Sequence, residues 1–216
     1  VLTDFVTYYI RRPSEGSIVV VTSKIVALGE ERTADPKKRV EIIKAESEFA
    51  LETKHTWLTI KDGTVMSSAG VDESNADGKL ILLPKDSYAA AEKLRKVLKR
   101  KWKLKKLGVL ITDSRLLPLR SGVVGIALGY AGFKGLRDYR GTKDIFGRVL
   151  KVSQTDVADS LATAAVLEMG EGKEQKPIAL IQSAAVEFAE KVNRHELKMK
   201  IEDDVYYPLF KHVRGK

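Results

Sequence analysis

The chain contains no cysteine. That excludes disulfides and thiolate metal sites, and it is compatible with a reducing cytoplasm, the location expected. No apolar stretch approaches the ~20 residues needed to span a bilayer. The opening stretch, Val1 to Pro13, carries Asp4, Arg11 and Arg12 and lacks a cleavage-site pattern, so it does not read as a secretory signal. His55, His195 and His212 are scattered and form no metal-ligand spacing. There is no Gly-x-x-x-x-Gly-Lys-Ser/Thr phosphate loop and no dinucleotide fingerprint after a strand. No internal repeat, low-complexity tract or linker is visible.

What remains is an ordinary globular composition over 216 residues with a formal charge of +9. That length buries roughly 70% of the surface of the unfolded chain and suits one domain, 1–216, or two lobes sharing a core, with 183–216 as a C-terminal extension. A basic balance speaks to partners, so nucleic acid, anionic membrane and polyphosphate ligands are all open on charge alone.

Hydrophobic patterning predicts a helix from Leu2 to Ile10 and a buried β-branched strand from Ser17 to Val26. A helix with Asp35 as N-cap and Pro36 first should run to Phe49. Asp62-Gly63 between Trp57–Ile60 and Thr64–Met66 reads as a hairpin. Further strands are expected at Leu80–Leu83, Leu107–Thr112 (ending on Asp113), Val149–Val152 and Pro177–Ile181. Helices are expected from Asp86 or Ser87 to Leu104, from Thr155 to Met169 closed by Gly170, and over Asp203 to Val213. Strands single and in hairpins, mixed with helices, indicate an α+β fold with mixed, largely antiparallel sheets.

Five stretches can carry chemistry. Gly70-Val71-Asp72-Glu73-Ser74-Asn75 places a carboxylate and an amide three apart in a loop, donors for a hard cation and a nucleotide; the same residues also make ordinary turns. Ile111-Thr112-Asp113-Ser114-Arg115 ends a buried strand on a carboxylate and a hydroxyl, which suits Mg²⁺ with phosphate, or a plain cap. Between Arg120 and Arg148, glycines (Gly122, Gly125, Gly129, Gly132) and basic residues (Lys134, Arg137, Arg140, Lys143) allow close backbone approach to an anion. Glu168-Met169-Gly170-Glu171-Gly172 sets acids at a helix C-terminus, where the helix dipole is already negative and a cation would be drawn. The Lys93 to Lys106 helix is densely basic, but its single nearby aromatic, Trp102, is expected in the core, so it lacks the stacking platform of single-strand binders. Ser23-Lys24, read as neighbours on a strand, point to opposite faces and make no dyad.

Several segments recur together and in order in one family. They are Val21-Thr22-Ser23-Lys24-Ile25-Val26, Ala69 to Asn75, Leu82-Leu83-Pro84-Lys85-Asp86 and Ile111 to Ser114. They continue with Ile126 to Gly132, Leu136 to Gly141, Asp144 to Arg148, and Val157-Ala158-Asp159 leading to Met169-Gly170-Glu171. This set, spanning Gly16 to Ile181, resembles the coenzyme F-420 gamma-glutamyl ligases. The resemblance implies a GTP-dependent ligase that activates a carboxylate as an acyl phosphate, which the amine of L-glutamate then attacks. It implies an intertwined homodimer with that family's α+β fold. Two divalent ions per site, Mg²⁺ or Mn²⁺, are implied, with K⁺ as an accompanying ion. The acceptor implied is an F-420-like or folate-like coenzyme carboxylate.

Carried over by motif, Asp72 and Asp113 are metal ligands, and Ser114 and Glu171 serve the second metal. Ser23, Lys24, Asn75 and the segment Met169, Gly170, Glu171, Gly172 and Lys173 contact the nucleotide. The chain departs from the family pattern in three places. The opening apolar-Pro motif is not found, Val123-Val124-Gly125 stands where many members have Gln-Thr-Asp, and Glu171 stands where glutamine is frequent. Two other readings are a non-catalytic nucleotide-binding relative and a basic nucleic-acid-binding protein.

Overall fold

The computed structural model describes residues 2–210, which form the helices α1 to α6 and the strands β1 to β11. In chain order these are α1 (Leu2–Tyr9), β1 (Ser17–Thr22), α2 (Ser23–Gly29), β2 (Thr33–Ala34), α3 (Arg39–Ala45), β3 (Phe49–Glu52), β4 (Trp57–Lys61) and β5 (Thr64–Ser67). They continue with β6 (Leu80–Ile81), α4 (Ser87–Trp102), β7 (Leu107–Leu116), β8 (Val123–Ala131), β9 (Leu136–Asp138), β10 (Gln154–Asp156), α5 (Val157–Met169), β11 (Ile178–Ile181) and α6 (Tyr207–Phe210). The chain gathers into two compact units. The fold is α+β with mixed and antiparallel sheets, as the patterning predicts. Among the described residues, no helix is long and apolar enough to cross a membrane.

The first unit comprises residues 2–22, 86–114 and 124–197. Its sheet runs β11-β1-β7-β8, with β1 parallel to β7 and antiparallel to β11. Ser17 to Val21 on β1 are all fully buried, because a central strand covered on both faces reads as a continuous apolar run rather than an alternation. The core joins Ile18, Val20 and Leu110 of the sheet to Ala158, Ala162, Ala165 and Met169 of α5. The alanines of α5 let its backbone come close to β8: a Cβ built on Gly125 would lie 2.3 Å from the Ala162 carbonyl oxygen. Asp156 caps α5, its carboxylate accepting from the Asp159 N–H at 2.9 Å. Asp86 caps α4 in the same way, accepting from Ala89 at 2.8 Å.

The second unit comprises residues 23–85, 115–123 and 198–210. The antiparallel sheet β3-β4-β5 and the pair β2-β6 shape it. Asp62 (φ 52°) and Gly63 (φ 72°) turn the β4-β5 hairpin, the pair of positive φ angles that matches strand twist. Ile43, Val71, Leu80 and Leu82 form its core. Glu46 is the electrostatic knot: both its oxygens accept from Arg32 at 2.8 Å, and one accepts from Lys61 at 2.6 Å.

The structure corrects several boundaries. The expected strand Ser17–Val26 stops at Thr22, and Ser23–Gly29 is the helix α2, because Val26 and Ala27 bury at helical spacing, Ala27 beside Ala76 and Ile81. The helix expected from Pro36 to Phe49 opens with a 3-10 turn, Pro36–Lys38, and ends at Ala45, leaving Phe49 to pair with Ile60. The strand through Asp113 continues to Leu116, so Asp113 and Ser114 lie within β7. Val149–Val152 is not a strand; Gln154–Asp156 is, paired with Leu136–Asp138, and it displaces the start of α5 from Thr155 to Val157. Leu80–Leu83 shortens to Leu80–Ile81, and Ile178–Ile181 is a half-buried edge strand rather than a buried one. Trp102 is half-buried. Of the helix expected over 203–213, Tyr207–Phe210 is helical and 211–213 lie outside the described residues.

Candidate functional site

Each unit holds one polar cluster built from the residues singled out in the sequence. In the first unit the cluster sits on β7. Thr112 is buried and donates its hydroxyl to the Ile126 carbonyl of β8 at 2.8 Å, which fixes the register at this point. The next two side chains, half-buried Asp113 and Ser114, are therefore held on a rigid strand. An Asp113 carboxylate oxygen accepts from the Ser114 N–H at 2.9 Å. The Ser114 hydroxyl donates to Glu171 Oε2 at 3.2 Å.

Glu171 reaches that position because α5 ends two residues earlier. Gly170, with φ 79°, takes the chain out of the helix while its N–H still bonds to the Val166 carbonyl at 2.8 Å. Met169 is buried in the core and anchors the segment, while Glu171, Gly172 and Lys173 are exposed. Glu174 orders the loop by accepting from the Gly172 N–H at 2.8 Å. A carboxylate just past a helix C-terminus adds to the negative end of the helix dipole, so the place favours a cation.

In the second unit the cluster centres on Asp72. Its approach is a segment in left-handed backbone: Ser68, Ala69 and Gly70 have φ of 50°, 53° and 71°. Non-glycine residues hold that conformation only when the surroundings impose it. Here the buried Thr59 hydroxyl accepts the Ala69 N–H at 2.8 Å, and Ser68 bonds to Thr56 at 2.8 Å. Asp72 is then held by its own backbone, which exchanges two hydrogen bonds with Ile81.

Lys24, on the first turn of α2, donates to Asp72 Oδ2 and to the Ser74 carbonyl, both at 2.7 Å. Ser74 donates its N–H to Oδ1 at 2.8 Å and its hydroxyl to Oδ2 at 2.6 Å. Burial pushes the Asp72 pKa up, but the hydrogen bonds from Lys24 and Ser74 outweigh it and hold the carboxyl below its ordinary value. Asn75 follows with φ 52°, and Ser23 is buried at the start of α2.

Ser74 is the participant that sequence reasoning left out of the site; the signal for it was the Asp-x-Ser spacing, which lets a carboxylate accept from the N–H two residues on. Among the described residues, no three histidine or acidic side chains converge into one metal-binding group. Three of the other basic residues are held in ion pairs. Arg140 pairs with Asp138 at 2.6 Å, Lys99 with Glu190 at 2.5 Å, and Lys96 with Glu92 at 3.2 Å.

The fold and these clusters define an α+β protein that presents hard oxygen donors on a sheet strand and, in the other unit, a lysine-held carboxylate. A family model described as F420-0:gamma-glutamyl ligase matches residues 28–183. The chain belongs to the F420-0:gamma-glutamyl ligase family. It is 37% identical over 193 residues to the coenzyme F420:L-glutamate ligase of Methanocaldococcus jannaschii, covering 86% of this chain and 74% of that protein. The protein of the same name from Methanococcus maripaludis is 41% identical over 167 residues, covering 77% and 64%. The one from Archaeoglobus fulgidus is 33% identical over 217 residues, covering 90% and 85%. Across five such relatives the chain spans between 59% and 74% of their length.

Proposed function

We propose that this chain is a GTP- and divalent-metal-dependent ligase that joins the amine of L-glutamate to a carboxylate of an F-420-type coenzyme, with a folate-like molecule as the other acceptor to test. The proposal includes an acyl phosphate and a homodimeric assembly. In the reaction the acceptor carboxylate takes the γ-phosphoryl group and GDP leaves; the glutamate nitrogen then attacks the acyl carbon and phosphate leaves.

The observation that carries the proposal is the Ser114–Glu171 contact at 3.2 Å beside Asp113 in a chain of this family. The donor set fits Mg²⁺ or Mn²⁺, since every donor is a hard oxygen. With no third acidic or histidine side chain among the described residues in either cluster, an ion there takes further ligands from water and phosphate, as Mg²⁺ usually does. Bound there, such an ion would neutralise charge on the transferred phosphate. Asp72 and Asp113 would be metal ligands, Ser114 and Glu171 would serve a second ion, and Lys24, which holds Asp72, would add a point charge. In this reading Gly170 to Lys173 would contact the nucleotide, with buried Met169 anchoring that segment, and Ser23, Lys24 and Asn75 would be nucleotide contacts as well. Two such divalent ions would sit at each site, with K⁺ as the accompanying ion.

Calorimetric titration with GTP, with and without Mn²⁺ and beside ATP, tests the reading. Mn²⁺-dependent GTP binding is expected, and Asp113→Asn should lower it by tenfold or more, since a charged ligand bond is worth about 1.5–3 kcal/mol. Binding that ignores Mn²⁺ and is unchanged in Asp113→Asn would remove the assignment. Glutamate-dependent phosphate release with F-420 precursors and folates then names the acceptor.

A further inference from the structure

Outside these clusters the first unit contains a cavity of about 410 Å³, in the size range of small-molecule sites. Five charged side chains line it: Lys134, Arg137, Asp138, Glu187 and Glu196. Three of them are neutralised, Lys134 and Glu187 by each other at 2.5 Å and Asp138 by Arg140 at 2.6 Å. Two are not. Among the described residues, Arg137 has no carboxylate partner; it donates to the Ala185 carbonyl and, at 3.5 Å, to the Tyr139 hydroxyl.

Glu196 likewise has no cationic partner among the described residues. One of its oxygens accepts from the Tyr130 hydroxyl and from the Gly135 N–H, both at 2.6 Å. Burial and Glu196 itself push the Tyr130 phenol pKa up, so Tyr130 stays a donor. The other Glu196 oxygen accepts no hydrogen bond from the described residues, so the carboxylate is rigidly placed with half of its capacity open. The cavity thus offers one fixed anion and one cation, neither with a counter-ion among the described residues, which complements a molecule carrying both an ammonium and a carboxylate.

We infer that this cavity binds a free α-amino acid as its zwitterion, the ammonium on Glu196 and the carboxylate on Arg137, at a site separate from the Asp113–Ser114–Glu171 cluster. The cavity also includes Leu136 and Val157, apolar side chains against which the ligand's own side chain can lie. Val157 opens α5 and Glu171 follows its end, so the helix puts roughly 20 Å between the two places. A bound amine there does not reach chemistry at Glu171 within the same unit. The site therefore senses or holds the amino acid.

Calorimetry on the full chain, without nucleotide or metal, tests this with L-glutamate and L-alanine as probes. Both should bind, and glutarate, which lacks the ammonium, should not. Glu196→Gln keeps an oxygen for Tyr130 and Gly135, and Arg137→Gln alters an exposed side chain; each should weaken L-glutamate binding by about tenfold or more. Asp113→Asn should leave it unchanged. The inference is overturned if neither amino acid binds the folded chain at millimolar concentration. It is also overturned if Arg137→Gln binds like wild type, or if Asp113→Asn loses L-glutamate as strongly as the cavity variants do. Should Glu196→Gln fail to fold, the Arg137→Gln result decides, and GTP titration of the same samples reports separately on the ligase reading.

Discussion

Gly125→Ala puts a single methyl group at the contact between β8 and α5. The added Cβ would lie 2.3 Å from the Ala162 carbonyl oxygen, 2.6 Å from its carbon and 2.7 Å from Val166 Cγ2, where ordinary contact begins at 3.4 Å. The nearest atoms are backbone, so no rotamer change relieves them; α5 must back away from β8 by about 1 Å. The bond from the Thr163 hydroxyl to the Gly125 carbonyl, 2.8 Å, stretches with it. Overpacking of this kind costs about 2–3 kcal/mol, which is a fall in melting midpoint of roughly 4–12 °C for a chain of this size.

The same displacement reaches the site, because Glu171 follows directly on the end of α5 and β7, the strand beside β8, carries Ser114. Their 3.2 Å contact has little reserve before it ceases to be a hydrogen bond, so Mn²⁺-dependent nucleotide binding should weaken as well. The assay is thermal unfolding followed by circular dichroism, with calorimetry on the folded variant. A Gly125→Ala chain that melts within about 1 °C of wild type would refute the packing argument. The result also bears on the departure from the family pattern: no side chain, aspartate included, fits at this position unless α5 moves.

Gly29→Ala is the control for that argument. Nothing lies within 4 Å of a Cβ at Gly29, the last residue of α2, so the variant should gain about 0.4–1 kcal/mol, read by urea unfolding. Glu46→Gln should cost about 1–3 kcal/mol at neutral pH by emptying the charges around Arg32 and Lys61. Burial pushes the Glu46 pKa up, but Lys61 and Arg32 hold it below 4.5 overall. Its contribution is therefore present in full above the unfolded value and is lost as pH falls through the lower folded value. The gap between wild type and Glu46→Gln should close on acidification, and a gap constant with pH would show that charge is not its origin. Asp156→Ala removes the cap of α5 and should cost about 1 kcal/mol in the same unfolding assay; an unchanged midpoint would mean that the first turn is held by packing alone.

Much of the molecule was legible in local chemistry. Asp-Gly specified a two-residue hairpin, Asp86 marked a helix start by its capping oxygen, and Gly170 marked a stop. The β-branched run at Ser17–Thr22 marked the central strand, and the motif set marked the family. The errors fall where composition alone is ambiguous. Ile25 and Val26 favour a strand by propensity yet form a helix, because that geometry buries Val26 and Ala27. Val149–Val152 lost its strand to Gln154–Asp156, which has the weaker propensity but the available partner in Leu136–Asp138.

The residue types able to hold a hard cation were decided by the sequence itself, because aspartate, glutamate and serine keep their donor atoms in any fold. Which donors meet was decided by tertiary structure. Ser114 and Glu171 are 57 positions apart and touch because α5 returns over the sheet; Lys24 and Asp72 are 48 apart and touch because α2 is a helix and not a strand. Such pairs cost chain entropy that only the packed core repays, so spacing along the chain carries no trace of them.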